Sequence, residues 1–512
     1  MSRIARQLTS GSALRVMSFS ATAIVSLAIT PLVVHSLGDR LYGFWALVST
    51  FIGYYGLLDL GMSTAVSQHI ALDLGRGDHQ RCNAVINDSL RILLGIGALA
   101  LLASVALSVL APAICATPAD ALLFRKVILI LGMSVAVSFP ARAFTGALTA
   151  NLQYSLISVL DMLSLLLRTV FIILALRAGY RLVALAWITL LSNLPSIALQ
   201  IYFTRRALPW LQLRPSHKLS SVSKSLFSYS TFAFVTQVSD RLRYQADPVV
   251  ITLFIGLVAL SHYRIASLLA EQFILLVVAV VGVFQPLFTK LHGQGDEPGL
   301  GRAFLFATKV SVCVSTLVCF GMIAWGKPFI YRWMGPSYVD AYPPLVVLAS
   351  ATTFALWQTP SVDMFYSIAM HRYYAYINVA EGVLNLAFSL ILVRRLGVLG
   401  VALGTFCAMG IMRLIIQPVV LCRVAKFPYP AYLRTFLSSV SWCALLAGGI
   451  YPFVRWGMEP YIAPLLGSAV LCTCLYAIGC FYLVFNRVER EKWVSGLFRA
   501  VPDETARARQ LA

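Results

Sequence analysis

Leu37-Gly38-Asp39-Arg40-Leu41-Tyr42-Gly43-Phe44-Trp45 is a short polar turn set between two long apolar runs, about 13–37 before it and 43–69 after it. A looser copy stands further on, at an offset of 218: Ile255-Gly256 closes one apolar run and Ser261-His262-Tyr263 opens the next. A second match sets Tyr154 and Asp161 against Tyr374 and Glu381, with the same spacing inside each pair, at an offset of 220. A third sets Ala184-Leu185-Ala186 against Ala402-Leu403-Gly404, again at 218. Three matches in register at equivalent places read as an internal duplication. Each half holds six apolar runs. An even number gives both halves the same orientation, related by an axis along the membrane normal.

Working outward, a bilayer crossing needs about 20 mostly apolar residues. Fourteen stretches qualify: 13–37, 43–69, 86–111, 125–149, 154–177, 181–204, 225–250, 258–289, 303–326, 343–370, 374–395, 398–421, 436–457 and 461–485. The expected class is an all-α polytopic membrane protein. It has an N-lobe over 1–204 (spans 1–6), a basic linker over 205–224 and a C-lobe over 225–421 (spans 7–12). A final helix pair over 436–485 and a tail over 486–512 follow. Arg3, Arg6 and Arg15 precede a first run too long for a signal sequence and lacking a small-residue cleavage site, so an uncleaved first span is expected.

Composition agrees. Of 512 residues, 59% are hydrophobic and 12% charged, with a mean hydropathy of +0.81. Soluble chains carry about 25% charged residues. A soluble enzyme, a disordered scaffold and a nucleic-acid-binding domain are poor fits. The net charge of +20 has a topological reading instead, because basic residues crowd the tails and the even-numbered connections. That places both termini in the cytoplasm, with the basic faces against anionic headgroups. The ten cysteines form no CxxC, lie mostly in or beside apolar runs, and read as small hydrophobes. The seven histidines show no ligand spacing, and no resident metal is expected.

The order of these pieces resembles the polysaccharide (O-antigen, Wzx-type) flippase branch of a superfamily that also holds multidrug-and-toxin extrusion exporters and peptidoglycan-precursor flippases. The residues that carry the resemblance are Thr30-Pro31, the Leu37–Gly43 turn and Gly56-Leu57-Leu58-Asp59-Leu60-Gly61. Asp240, Ile255-Gly256, Tyr263 and the run Gly397-Val398-Leu399-Gly400-Val401-Ala402-Leu403-Gly404 complete them. These are packing and turn motifs, more specific for fold than for cargo. The resemblance implies a two-lobed transporter working by alternating access in the bacterial inner membrane. Its implied cargo is an undecaprenyl-diphosphate-linked oligosaccharide for O-antigen, capsule or exopolysaccharide, supplied by glycosyltransferases and passed to a polymerase.

Charges at bilayer depth cost several kcal/mol, so they face cavities or pair with one another. The densest group is Asp240, Arg241, Arg243 and Asp247 in span 7, followed by Arg264 and Glu271 in span 8. Asp240, Arg243 and Asp247 share a helical face, and Arg241 lies about 100° away. Arg241, Arg243 and Arg264 are expected to meet a diphosphate through forked hydrogen bonds. The alternatives are a self-neutralised salt-bridge ladder, or a span that ends earlier and leaves these groups in headgroup water. Arg168, two turns after Asp161, and Asp59 among its glycines are further cavity candidates. Asp363 near Pro360 resembles Asp59; Arg413 is placed to snorkel, with cavity lining as the lesser alternative, and Arg15 either snorkels or serves the cargo, since related flippases use cationic residues on the first helix. The GxxxG of Gly400 and Gly404 reads as packing.

Asn378, Glu381 and Asn385 share one face of span 11, and Thr405 comes early in span 12. Hard oxygens suit a sodium ion, and a buried carboxyl suits a proton. The resemblance implies an ion site involving Glu381, Asn378, Thr405 and Asp240, although the Asn-x3-Asp spacing of related flippases is missing. Helix–helix hydrogen bonding is the alternative. Na+ or H+ is the only cofactor expected, since neither a glycine-rich phosphate loop nor a nucleophile–base arrangement occurs. A multidrug exporter on the same fold needs an acidic, aromatic cavity. A polytopic glycosyltransferase or polymerase needs a large extracytoplasmic loop, and the connections here are short.

Overall fold

A computed structural model of the chain describes residues 3–59, 62–114, 117–213, 245–454 and 462–491. Among them there are helices and turns and no strand. The first half comprises α1 (Arg3–Leu37), α2 (Asp39–Tyr55), α3 (Met62–Gly75), α4 (His79–Val109), the single turn α5 (Ala111–Ile114), α6 (Pro118–Ala150), α7 (Tyr154–Arg177) and α8 (Leu182–Ala207). The second comprises α9 (Gln245–Phe254), α10 (Leu257–Val281), α11 (Phe284–Gly293), α12 (Glu297–Met334), α13 (Tyr342–Trp357), α14 (Thr359–Ser367), α15 (His371–Met409) and α16 (Gln417–Val424). Then come α17 (Tyr429–Val454) and α18 (Ile462–Leu483). Ten helical stretches among the described residues are long and apolar enough to cross a bilayer. His371–Val424 counts as one of them, although Gly397 (φ 57°, ψ −136°) folds it into two spans. The fourteen expected spans fall on these helices wherever their residues are described.

The duplication is written in the backbone. Gly38 (φ 78°) and Gly256 (φ 125°) correspond at the offset of the sequence repeat, as do Gly77 (71°) and Gly295 (70°), and Gly179 (80°) and Gly397 (57°). Leu152 (58°) and Ala369 (57°) repeat the pattern one position out of step. Left-handed residues end helices and turn the chain, so matched turns mean matched helix lengths. The caps match as well. Asp78 accepts from the Arg81 amide at 2.9 Å and Asp296 from the Gly299 amide at 2.8 Å, a further pair at the repeat offset. Two six-helix pseudo-repeats and a terminal pair are therefore the architecture.

The described residues pack as two compact units, drawn from Met1–Ile265 with Asn378–Gly404 and from Ala266–Ile377 with Thr405–Ala512. In the first unit α6 packs on α4, α8 and α3, and α1 packs on α7. Its apolar core joins Val66 and Ile70, Leu93 and Ile96, and Phe139 and Ala143. Lipid offers helices no hydrophobic drive, so close approach and hydrogen bonds hold them together. Gly97 lies against the Ala136 carbonyl, which Pro140 deprives of its helical donor, and Tyr55 Oη and Ser104 Oγ bond at 2.8 Å. Gly400 and Gly404 meet the backbone at Leu392 and Ser389, which is the packing role expected of them.

Gly43, in the quoted turn, lies directly against the Leu257 carbonyl. A Cβ there would clash with backbone, which cannot swing aside. Gly43→Ala is expected to cost about 1–3 kcal/mol and to lower the thermal midpoint in detergent. Gly75→Ala, where the space is open, should leave the midpoint in place.

In the second unit α12 packs on α13, α14, α17 and α18, with a core of Val281, Ala349 and Leu356 beside it. Phe304, Tyr432 and Phe436 stack in sequence with ring centroids 5.7 Å apart at each step. Gly410–Ile416 runs as a π-helical stretch and carries Arg413.

Candidate functional site

The first unit has an open, mainly polar cavity of about 380 Å³ between α1, α6, α7 and α8. Its chemistry comes from α6 and α7, two apolar helices that each place one arginine on this wall. α6 contributes Arg142, just after Pro140, and α7 contributes Arg168 and Asp161. Hydroxyl and amide groups make up most of the rest of the wall, with Ala141, Leu165 and Ile197 among them. Thr145 Oγ1 donates to Gln200 Oε1 at 2.9 Å, and Gln200 reaches Ser196 at 3.4 Å. Such groups hydrate or bind an anion without adding charge.

The two arginines are held differently. Arg142 Nη1 lies 2.9 Å from Asp59 Oδ1, and its guanidinium sits 4.5 Å over the Phe139 ring. Asp59 ends a 3-10 turn, Gly56–Asp59, that breaks span 2, and its side chain is 11% exposed against 37% for Arg142. Asp59 therefore acts on the cavity through Arg142. Arg168 has no ion-pair partner among the described residues. It is half-buried and shares the cavity wall with Arg142.

The expected site residues divide accordingly. Arg168 lines the cavity, and Asp59 holds Arg142, which does so too. Arg264 is half-buried on α10 and is not part of this lining. Arg241, Arg243 and Asp240 lie outside the described residues. Arg413 corrects an expectation. It does not snorkel; it is 1% exposed, donates to Gln417 Oε1 at 2.5 Å and sits 5.3 Å over the Tyr374 ring. The π-helical stretch turns it inward, into a network where Gln417 reaches the Gln358 carbonyl and Gln358 meets Tyr432. Sequence reasoning missed Arg142. The signal was there: one arginine in Ser138-Phe139-Pro140-Ala141-Arg142-Ala143-Phe144, deep in a 33-residue apolar helix.

A second polar cluster lies elsewhere in the first unit. Asn378, Glu381, Asn385 and Ser389 form one buried face of α15, none more than 1% exposed. Asn385 donates to Asp247 Oδ1 at 3.3 Å, and the Tyr263 hydroxyl donates to Asp247 Oδ2 at 2.6 Å. Asp247 on α9 is thus the carboxylate tied to this face, one turn along from Glu381. Thr405 is buried and belongs to the second unit. The cluster offers hard oxygen atoms of the kind that hold sodium.

Three of the cysteines, read from sequence as small hydrophobes, come together. Cys313, Cys443 and Cys480 of the second unit converge, each from a different helix.

The family described as polysaccharide biosynthesis protein matches residues 8–292, more than half of the chain. The chain belongs to that family. It is 24% identical over 490 residues to the uncharacterized membrane protein EpsK of Bacillus subtilis, covering 93% of this chain and 95% of that one. The lipid II flippase MurJ, in an inward closed conformation, matches with a TM-score of 0.69 at 16% identity, over 90% of this chain and 97% of its own. An inward-facing multidrug resistance MATE family transporter of the MOP superfamily matches with a TM-score of 0.63 at 18% identity, over 81% of this chain and 99% of its own. At these identities the solved structures speak for the fold, a multi-pass helical membrane fold. The resemblance to polysaccharide flippases drawn from the Gly38 and Gly256 turns is borne out by the family as a whole.

Proposed function

We propose that this chain is a flippase for lipid-linked oligosaccharide, a transporter and not an enzyme. It carries an undecaprenyl-diphosphate-linked sugar from the cytoplasmic to the outer leaflet of the bacterial inner membrane, with both termini in the cytoplasm. The single observation that carries this reading is the pair of guanidinium groups, Arg142 and Arg168, in one polar cavity among apolar helices. Arginine at that depth is costly and needs a return. A diphosphate supplies one, through forked, charge-assisted hydrogen bonds. Membership of a polysaccharide biosynthesis family and a fold shared with a lipid II flippase support the same cargo class.

Transport proceeds by alternating access, with the cavity arginines releasing the headgroup as its surroundings change. A coupled cation drives it at the Glu381 face with Asn378, and Thr405 and Asp240 are the further residues proposed for coupling. Arg241, Arg243 and Arg264 are the further cationic residues proposed to meet the diphosphate, apart from this cavity. A multidrug exporter for cationic amphiphiles needs an acidic excess, and this wall, two guanidiniums against Asp161 and the Asp59 that pairs with Arg142, carries none.

The test is rescue of surface polysaccharide in cells lacking their own flippase, alongside drug resistance in the same strains. Wild-type chain is expected to restore polysaccharide and leave drug resistance unchanged. Arg168→Gln is expected to lower flux at limiting substrate by about 10- to 100-fold, the worth of one charged hydrogen bond or two. Drug resistance without polysaccharide rescue would replace this reading with the exporter.

A further inference from the structure

Cys313 of α12, Cys443 of α17 and Cys480 of α18 are distant in sequence and meet inside the second unit. Cys443 Sγ lies 3.7 Å from Cys313 Sγ and 4.0 Å from Cys480 Sγ, and all three sulfurs fall within 4.8 Å of one another. They are 7%, 0% and 4% exposed. The three helices pack pairwise on one another, so the sulfurs are positioned by helix contacts and not by a loop. The Tyr476 hydroxyl, one turn before Cys480, donates to the Cys313 carbonyl at 3.2 Å and fixes α18 against α12 at this level.

These spacings are too long for a disulfide, whose sulfurs are about 2.05 Å apart. They fit a shared ligand. With an ion–sulfur bond of about 2.3 Å, a flat trigonal centre holds its sulfurs about 4.0 Å apart and a pyramidal one about 3.5 Å, so a small inward movement of the three sulfurs closes either. Structural zinc closes its shell with four ligands, and among the described residues this group stops at three. A soft ion content with three sulfurs matches better.

Charge narrows the choice further. A ligating thiol gives up its proton, and three thiolates in an apolar interior need three positive charges nearby. Lys309, one turn before Cys313, is already engaged by Glu489 at 2.8 and 3.0 Å. The ion must therefore bring its own compensation. A trivalent centre cancels three thiolates and leaves a neutral, buried complex. We propose that Cys313, Cys443 and Cys480 form a three-sulfur site for trivalent arsenic, taken up as arsenite.

The exchange balances without an oxidant or reductant. In As(OH)3 three As–O bonds break and three As–S bonds form. Each thiol proton joins a departing hydroxide, so three waters leave. The bound ion ties α17 and α18 to α12 and removes their freedom to shift against it.

The test uses the full-length reduced protein in detergent, equilibrated with arsenite and stripped of excess by gel filtration. Wild type is expected to retain one arsenic per chain, and X-ray absorption should report three sulfur neighbours. Cys443→Ala should drop retention at least tenfold, while Cys319→Ala and Cys472→Ala retain arsenic as wild type does. Should Cys443→Ala fail to fold, Cys313→Ala and Cys480→Ala carry the same expectation. No retained arsenic in wild type, two-sulfur coordination, or undiminished retention in the folded variants overturns the proposal.

Discussion

Arg142→Ala is expected to destabilise the first unit and abolish transport together, whereas removing both members of its ion pair should separate the two effects. The alanine variant takes the Arg142 guanidinium away from Asp59, a carboxylate only 8% exposed. Breaking a fully buried pair in this way costs about 3–5 kcal/mol. Arg142 opens onto the cavity, and water there screens its side of the pair, so the lower end of that range applies. Asp59→Leu with Arg142→Met replaces both charges with apolar groups of similar reach, a change that is commonly neutral in stability. The double variant should therefore regain the wild-type thermal midpoint in detergent. It should not regain polysaccharide export, because a cavity guanidinium is still missing. Recovery of both would make the pair a packing device and remove Arg142 from the transport site. A normal midpoint for Arg142→Ala alone would contradict the burial argument for Asp59.

What the amino-acid sequence discloses about this molecule follows from what is local in it. Apolar length is local, so the spans are legible. Turn chemistry is local too: Gly38 and Gly256 announce a duplication that the φ angles of Gly77, Gly295, Gly179 and Gly397 then repeat. Cross-helix pairing is not local. Arg142 sits on α6 and Asp59 on the turn that follows α2, with three helices between them in the chain, and nothing near either names the other. Spacing marks Arg142 as an arginine deep in an apolar helix, but only packing shows the carboxylate beside it. Arg413 defeats a sequence reading for a related reason. Its distance from the helix end suits a snorkelling side chain, but a π-helical stretch rotates the residue onto the buried face, and such a stretch has no sequence signature of its own. The cysteines show the same limit, because three helices must pack before Cys313, Cys443 and Cys480 become neighbours. In contrast, the face of Asn378, Glu381 and Asn385 is visible from spacing alone. Helical periodicity puts i, i+3 and i+7 together before any packing occurs.

Glu381→Gln is expected to uncouple transport from its driving ion while leaving the protein folded. Glu381 is fully buried on α15, one turn from Asn385, which binds Asp247, which in turn accepts from Tyr263. Two carboxyl groups on one buried polar cluster are costly to keep charged at bilayer depth. Membrane proteins retain such groups where a cation or proton moves. Glutamine preserves the shape of the side chain and its hydrogen-bonding capacity but cannot carry a charge or exchange a proton. In proteoliposomes with an imposed sodium or pH gradient, wild-type flux of lipid-linked sugar should rise severalfold with one of the two gradients. The variant should show the ungraded basal flux under both, at an unchanged thermal midpoint. Loss of the sodium response assigns sodium to this face, and loss of the pH response assigns the proton. Asp247→Asn should weaken the same response, because Asp247 orients Asn385 and so shapes the ground beside Glu381. A full gradient response in Glu381→Gln would move the coupling site off α15, leaving Asn378, Glu381 and Asn385 as a helix-packing ladder.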